Sequence, residues 1–312
     1  MSIGAGFDEI IEAERAYAPA DLFEVNSMLS HEERLLLHWA TRAGNTSPDA
    51  VIDGGCFLGG STLALGSGVL ARGGWLPSSE VHAYDLFVYS QENEKDWVPE
   101  GFPFGFGEST LPVFEHQVRT VRPLITLHAG DIRAERWGDA PISVCFVDIA
   151  KSWDTGDAVW REFFPALVPG RSLVIQQDLV HWGHPWCAIV MELLADRFEY
   201  LGWVWYSSAV YRCVRSVDAA DLPSSLLTKL STAEMLALLD RAADRFGEPF
   251  AGSLRLSGAV VLGAHREYQA ARDRVDEVRA RYTTEMIPYI DEGYAYLDAW
   301  IDAVEAGTMA VR

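Results

Sequence analysis

Lysine is scarce in this chain. Only Lys95, Lys151 and Lys229 occur, and the other basic residues are arginines scattered among 45 acids, so 25 positive side chains leave a formal charge of −20. A field of that sign repels a bare phosphate backbone unless a basic patch overrides it, and no Lys/Arg cluster of that kind is present. Cysteine is sparse as well. Cys56, Cys145, Cys187 and Cys213 lie far apart without a CxxC pair, which argues against a disulfide framework and leaves reduced core thiols. Long apolar runs are missing too: nothing approaches the roughly 18 continuous residues of a membrane span. Met1 is followed by Asp8, Glu9 and Glu12 rather than by the basic start and apolar stretch of a secretory signal. The expectation is a cytoplasmic protein with no nucleic-acid or membrane partner.

What is present is ordinary globular material: 312 residues, 49% hydrophobic and 22% charged, enough for one sizeable domain and an appendage. Residues 1–47 read as a helical segment, with Ser30-His31-Glu32-Glu33 forming a capping box before Leu35-Leu36-Leu37. From 48 to 216 short β-rich runs alternate with helical stretches. The runs are Ala50–Asp53, Val81–Asp85, Leu124–His128, Val144–Asp148 and Ser172–Gln176. Such alternation predicts βαβ units and a parallel sheet. Phe198–Trp205 and Ala209–Val214 are close enough for an antiparallel hairpin, so the fold class expected is α/β, a Rossmann-like doubly wound mixed sheet. Residues 217–312 read as helices only.

Chemistry gathers at the carboxyl ends of the predicted strands, where open α/β sheets bind ligands. The first strand runs Val51-Ile52-Asp53-Gly54-Gly55-Cys56-Phe57-Leu58-Gly59-Gly60-Ser61. Gly55 allows close backbone approach, and Gly59-Gly60 open a helix with free N–H groups. Asp53 would repel a pyrophosphate but suits a ligand carrying ammonium and sulfonium charges. Phe57 also stands where the dinucleotide pattern G-x-G-x-x-G needs glycine.

Asp53, Gly55, Phe57 and Gly59-Gly60-Ser61 resemble the first motif of class I S-adenosylmethionine-dependent methyltransferases, and within them the macrocin O-methyltransferase-like group, which acts on sugars of natural products. Asp85-Leu86-Phe87, Gly130-Asp131, Val147-Asp148 and Pro169-Gly170 follow in the order the resemblance demands. It implies S-adenosylmethionine as cofactor, with Asp53, Gly55, Gly59, Ser61, Asp85 and Asp131 binding it. Asp85 would hold the ribose hydroxyls and Asp131 would lie beside the adenine. It also implies O-methylation of a small-molecule acceptor. Metal-using members of that group carry Asp-x-Asp at the fourth strand and Asp-Asp-Tyr at the fifth. Here Ala150 and Gln177-Asp178-Leu179 depart from both, leaving Asp148, Gln177 and Asp178 as a weakened set for Mg²⁺. The departures also admit a relative that keeps the fold but has lost methyl transfer.

Methylating a hydroxyl requires a base, and the stretch Asp178–Trp186 supplies His181 and His184. His181 is the first candidate, with Asp148 as the other catalytic candidate. His184, which precedes Pro185, is assigned to the helix start. Trp97, Trp153, Trp182 and Trp186 could wall a substrate pocket, with one or two of them expected to touch substrate. The long connection 88–110 reads either as a lid or as a surface insertion. Finally, Val261, Ala264, Tyr268, Ala271, Val275, Val278 and Tyr282 form one heptad seam, and Ile287, Ile290, Tyr294, Leu297, Ile301 and Val304 a second. They suggest a homodimer, or else two seams that pack on each other.

Overall fold

A computed structural model describes residues 5–73, 80–89, 96–102, 105–204, 207–287 and 290–309. Glu92, Glu94, Pro103 and Phe104 of the long connection, and Pro288 ahead of the last helix, fall outside the described residues.

In chain order the elements are α1 (Ala5–Glu14), α2 (Asp21–Glu24), α3 (His31–Trp39), β1 (Ala50–Gly54), α4 (Gly60–Ala71), β2 (Val81–Asp85), α5 (Leu111–Gln117), β3 (Ile125–Ala129) and β4 (Ile142–Val147). Then follow α6 (Trp153–Phe163), β5 (Leu173–Gln176), α7 (Pro185–Leu193), β6 (Phe198–Val204) and β7 (Ser208–Cys213). Five helices close the chain: α8 (Leu226–Lys229), α9 (Thr232–Phe246), α10 (Phe250–Ala264), α11 (Tyr268–Arg279) and α12 (Ile290–Glu305). Their contacts define two compact units that interleave along the chain. One comprises Met1–Ala150, Ala158–Gln177 and Asp196–Ala219; the other comprises Lys151–Asp157, Asp178–Ala195 and Ala220–Arg312.

The first unit is built on a seven-stranded sheet of order β3-β2-β1-β4-β5-β7-β6. β1 to β5 pair in parallel, and β7 runs antiparallel to both β5 and β6. The buried runs of β1 and β4 explain why these strands read as continuous apolar segments rather than alternating ones. Val51, Val144, Phe146 and Ile175 share an apolar cluster with Leu35, Leu36 and Leu37 of α3 and Leu63 and Leu65 of α4. α3 begins with the expected capping box, Ser30 accepting from Glu33 N–H and Glu33 accepting from Ser30 N–H, an arrangement that satisfies two donors a helix start leaves open. The N-terminal segment also braces the glycine turn. Gln117 accepts from Asn26 N–H at 2.7 Å and donates to the Leu58 carbonyl at 2.6 Å.

The second unit is helical. The first heptad seam does not run along one helix: α10 ends at Ala264, the chain turns through His265–Glu267 with Arg266 at φ 64°, and α11 begins at Tyr268. Ala271, Val275, Val278 and Tyr282 then share one core with Ile290, Tyr294, Leu297, Ile301 and Val304. The two seams therefore pack largely against each other, the alternative the sequence left beside a homodimer. Trp300, which lies off the second seam, is covered in the same core. No helix among the described residues is long and apolar enough to cross a membrane.

Candidate functional site

In the first unit, β2 and β4 lie on opposite sides of β1. Connections that leave in opposite directions open a crevice at the carboxyl ends of the strands. There the Gly54 carbonyl accepts from Asp148 N–H at 2.7 Å, and Gly55 N–H donates to the Tyr84 carbonyl at 2.9 Å. Gly55 has φ 90°, and a Cβ on it would stand 2.7 Å from the Asp148 carbonyl carbon. The chain itself thus demands glycine at this position, through backbone conformation and close approach, before any ligand does. Phe57 and Phe87, which follow β1 and β2, adopt φ 45° and 51°, and Asp178, after β5, adopts 60°. Positive φ is uncommon outside glycine and tends to gather at functional sites.

Asp85 closes the turn. Its Oδ2 accepts from Phe57 N–H and its Oδ1 from Phe87 N–H, both at 2.8 Å. Two backbone donors fix this carboxylate in orientation. Asp53 is fully buried. Its Oδ2 accepts from the hydroxyls of Ser61, at 3.0 Å, and Thr62, so Ser61 and Asp53 hold each other, while Oδ1 is buried without a partner. Burial pushes the Asp53 carboxyl up to about 7, against the pull of both hydroxyls. Asp131 is engaged by its neighbour: Arg133 donates its backbone N–H at 3.0 Å and its Nε at 2.9 Å. Asp53, wholly buried, can act on a ligand only through its charge, whereas Asp85 is half-buried at the end of β2.

In the second unit, the stretch after β5 wraps a small cavity. Ser253 on α10 donates to the Val180 carbonyl at 2.6 Å. On α12, Gly293 lets the chain approach the Trp182 indole so closely that a Cβ there would lie 2.8 Å from Nε1. Asp178 organises the polar side. Lys151 Nζ donates to Asp178 Oδ2 at 2.7 Å, and His184 Nδ1 lies 3.2 Å from the same oxygen. Burial alone would raise Asp178, but Lys151, His184 and His181 outweigh it and hold the carboxyl well below its usual range. His181 stacks between ring neighbours, 5.0 Å from Trp182 and 4.6 Å from His184. Although part of His181 remains exposed, loss of water on its packed side, opposed by Asp178 and reinforced by His184 and Lys151, lowers it to about 4.

The two imidazoles differ in tautomer. Gly183 N–H donates to His181 Nδ1 at 3.0 Å, so neutral His181 carries its proton on Nε2 and has no free acceptor nitrogen. His184 Nδ1 lies 3.2 Å from the Asp178 carboxylate without the geometry of a hydrogen bond, and the negative charge there favours the tautomer with its proton on Nδ1 and Nε2 as the acceptor. His184 does occupy the cap position of α7, but its side chain makes no capping bond. Of the four tryptophans expected at a pocket, Trp182 and Trp186 line this cavity. Trp153 backs Trp186 at 5.2 Å, and Trp97 lies in the first unit with its carbonyl accepting from Asn26. Sequence reasoning missed Lys151, Tyr296 and Trp300 as lining residues; the rarity of lysine was the one available signal for Lys151.

The magnesium expectation is not supported. Among the described residues no group of three or more His, Cys, Asp or Glu side chains could hold a metal ion. Asp178 already has the Lys151 ammonium against it; Gln177 donates its amide nitrogen to Ser207 Oγ at 2.9 Å and keeps its Oε1 buried without a partner, a single neutral oxygen where the resemblance expects a carboxylate. The residues present do not fit the metal.

A parallel five-strand core extended by an antiparallel β7 between β5 and β6 is the class I S-adenosylmethionine-dependent methyltransferase fold. Solved structures similar to this chain include the calicheamicin methyltransferase CalS11, 16% identical, with 66% of this chain and 91% of that one covered and a TM-score of 0.46. The O-methyltransferase NovP is 16% identical over 61% and 83% of the two chains, with a TM-score of 0.45. An O-methyltransferase from Bacillus cereus, in complex with SAH, is 15% identical over 67% and 90%, with a TM-score of 0.41. At such scores the fold assignment rests on the strand order. No protein-family model and no curated protein matches the chain.

Proposed function

We propose that this protein transfers a methyl group from S-adenosylmethionine to a hydroxyl of a small molecule, in the biosynthesis of a natural product or of its sugar. The observation that carries the reading is Asp85, held at the carboxyl end of β2 by two backbone N–H groups beside the glycine turn. When bound, S-adenosylmethionine supplies a methyl group on a cationic sulfur. Asp85 binds the ribose hydroxyls, and Asp53, ionised, balances cationic charge. As the acceptor oxygen gains the methyl group, its proton must leave to a base. Among His181, Asp148 and His184, the tautomers favour His184 Nε2, with Asp178 orienting the ring and stabilising the imidazolium. Lys151 meets the charge of Asp178 and keeps that carboxylate ionised, and this reading routes no step through a metal.

Incubation with S-adenosylmethionine and a panel of hydroxylated small molecules, read by mass spectrometry, tests this. A product one methylene heavier supports it, and failure to bind either the cofactor or S-adenosylhomocysteine sinks it. A second reading, that the fold persists without methyl transfer, is favoured by Ala150 and Gln177 standing where the resemblance expects acids. Bound cofactor with no methylated product across the panel would select it.

A further inference from the structure

The cavity in the helical unit has a volume of about 140 Å³. An apolar cavity of about 150 Å³ accommodates one benzene ring, so the space suits a single six-membered ring. Its polar and apolar linings are segregated. Lys151, His181 and His184 belong to the cluster around Asp178, whereas Val260, Leu297 and Trp300 belong to the hydrophobic core of the same unit. Trp182 joins the two, in tilted contact with Tyr296 at 5.3 Å and stacked with His181 at 5.0 Å. Trp186, also in the lining, lies in tilted contact with His184 at 5.3 Å. A ligand matching this lining has a flat apolar body and one polar edge. A pyranose presents hydroxyls around its whole rim, and those set against Val260 and Leu297 would lose their water without replacement.

Resting on the methyltransferase reading above, we infer that this cavity is the acceptor site and that it takes a phenolic ring, with the hydroxyl turned toward the histidine cluster. Aromatic side chains favour such a guest through offset and edge-on ring contacts. The site therefore narrows the acceptor from hydroxylated small molecules in general to phenols.

Calorimetry and tryptophan fluorescence with catechol and with a methyl hexopyranoside test the inference on the full-length protein, alone and with S-adenosylhomocysteine. Catechol binding at least tenfold tighter than the glycoside, and weakened at least tenfold by Val260→Phe, is the expected result. Tyr296→Ala, at a partly exposed position, should weaken it severalfold and guards against a misfolded Val260→Phe. If the protein binds S-adenosylhomocysteine but not catechol, prefers the glycoside, or binds catechol equally in both variants, the acceptor assignment is overturned alone. Catechol binding that behaves as expected, without any S-adenosylhomocysteine binding, would retain the phenol site and overturn the methyl-transfer reading.

Discussion

His184 Nδ1 stands 3.2 Å from Asp178 Oδ2, while His181, three residues earlier, takes a backbone proton on its own Nδ1 from Gly183. The same ring type is thus prepared for opposite roles by its partner. Long-range nitrogen–proton NMR on the imidazoles should show His181 protonated at Nε2 and His184 at Nδ1. Removing a general base costs on the order of 10²–10⁴ in rate. His184→Ala should therefore lower kcat by about that factor with cofactor affinity intact, and His181→Ala by much less. A larger loss in His181→Ala would reverse the assignment.

Cofactor affinity should depend on pH through Asp53. With its carboxyl near 7 in the free protein, the ionised form that attracts a cationic ligand grows about tenfold from pH 6 to pH 8. S-adenosylmethionine should bind about tenfold more tightly at the higher pH, and Asp53→Asn should flatten the profile. Calorimetry across that range checks it.

Exhaustive chelation should leave methyl transfer unchanged, because Lys151 rather than a metal ion meets the Asp178 charge. Lys151→Ala, by contrast, removes that partner and should lower activity without a metal rescuing it. Restoration of chelated enzyme by magnesium would contradict this.

In the first unit Glu14 and His38 are buried together, with Arg42 Nε donating to Glu14 at 2.7 Å. Burial would raise Glu14, but Arg42 and His38 hold it below its usual value; burial lowers His38 despite Glu14. Both folded groups thus resist protonation more than their unfolded counterparts. The stability they contribute is present above about pH 6.5 and is lost as pH falls through the ordinary histidine and then carboxylate ranges. Glu14→Gln should destabilise the protein by about 1–3 kcal/mol, since it removes a charged acceptor from His38 and Arg42. Thermal unfolding between pH 4 and 8 reads both effects.

The strands were legible because β-rich runs of five or so residues ending in acids leave little choice of period: Val81–Asp85 is β2 itself, and the hairpin fell at β6 and β7. The first heptad seam misled because Val261, Ala264 and Tyr268 keep their spacing across a break that carries no glycine or proline. At the site, residue type and position along the chain pointed to Asp85 and the histidines. Which histidine keeps a free acceptor depends on Gly183 and Asp178, a relationship set by the turn at positive φ and invisible in spacing. The Glu14–His38 contact joins residues 24 positions apart and had no motif to announce it.

The most direct test of the account is a calorimetric titration of S-adenosylhomocysteine into the wild-type protein and into Asp85→Ala. Charge-assisted hydrogen bonds contribute about 1.5–3 kcal/mol each, so the wild type should bind and Asp85→Ala should bind at least tenfold more weakly, with folding confirmed by circular dichroism. Absence of binding to the wild-type protein, or equal affinity in a folded Asp85→Ala, would contradict it.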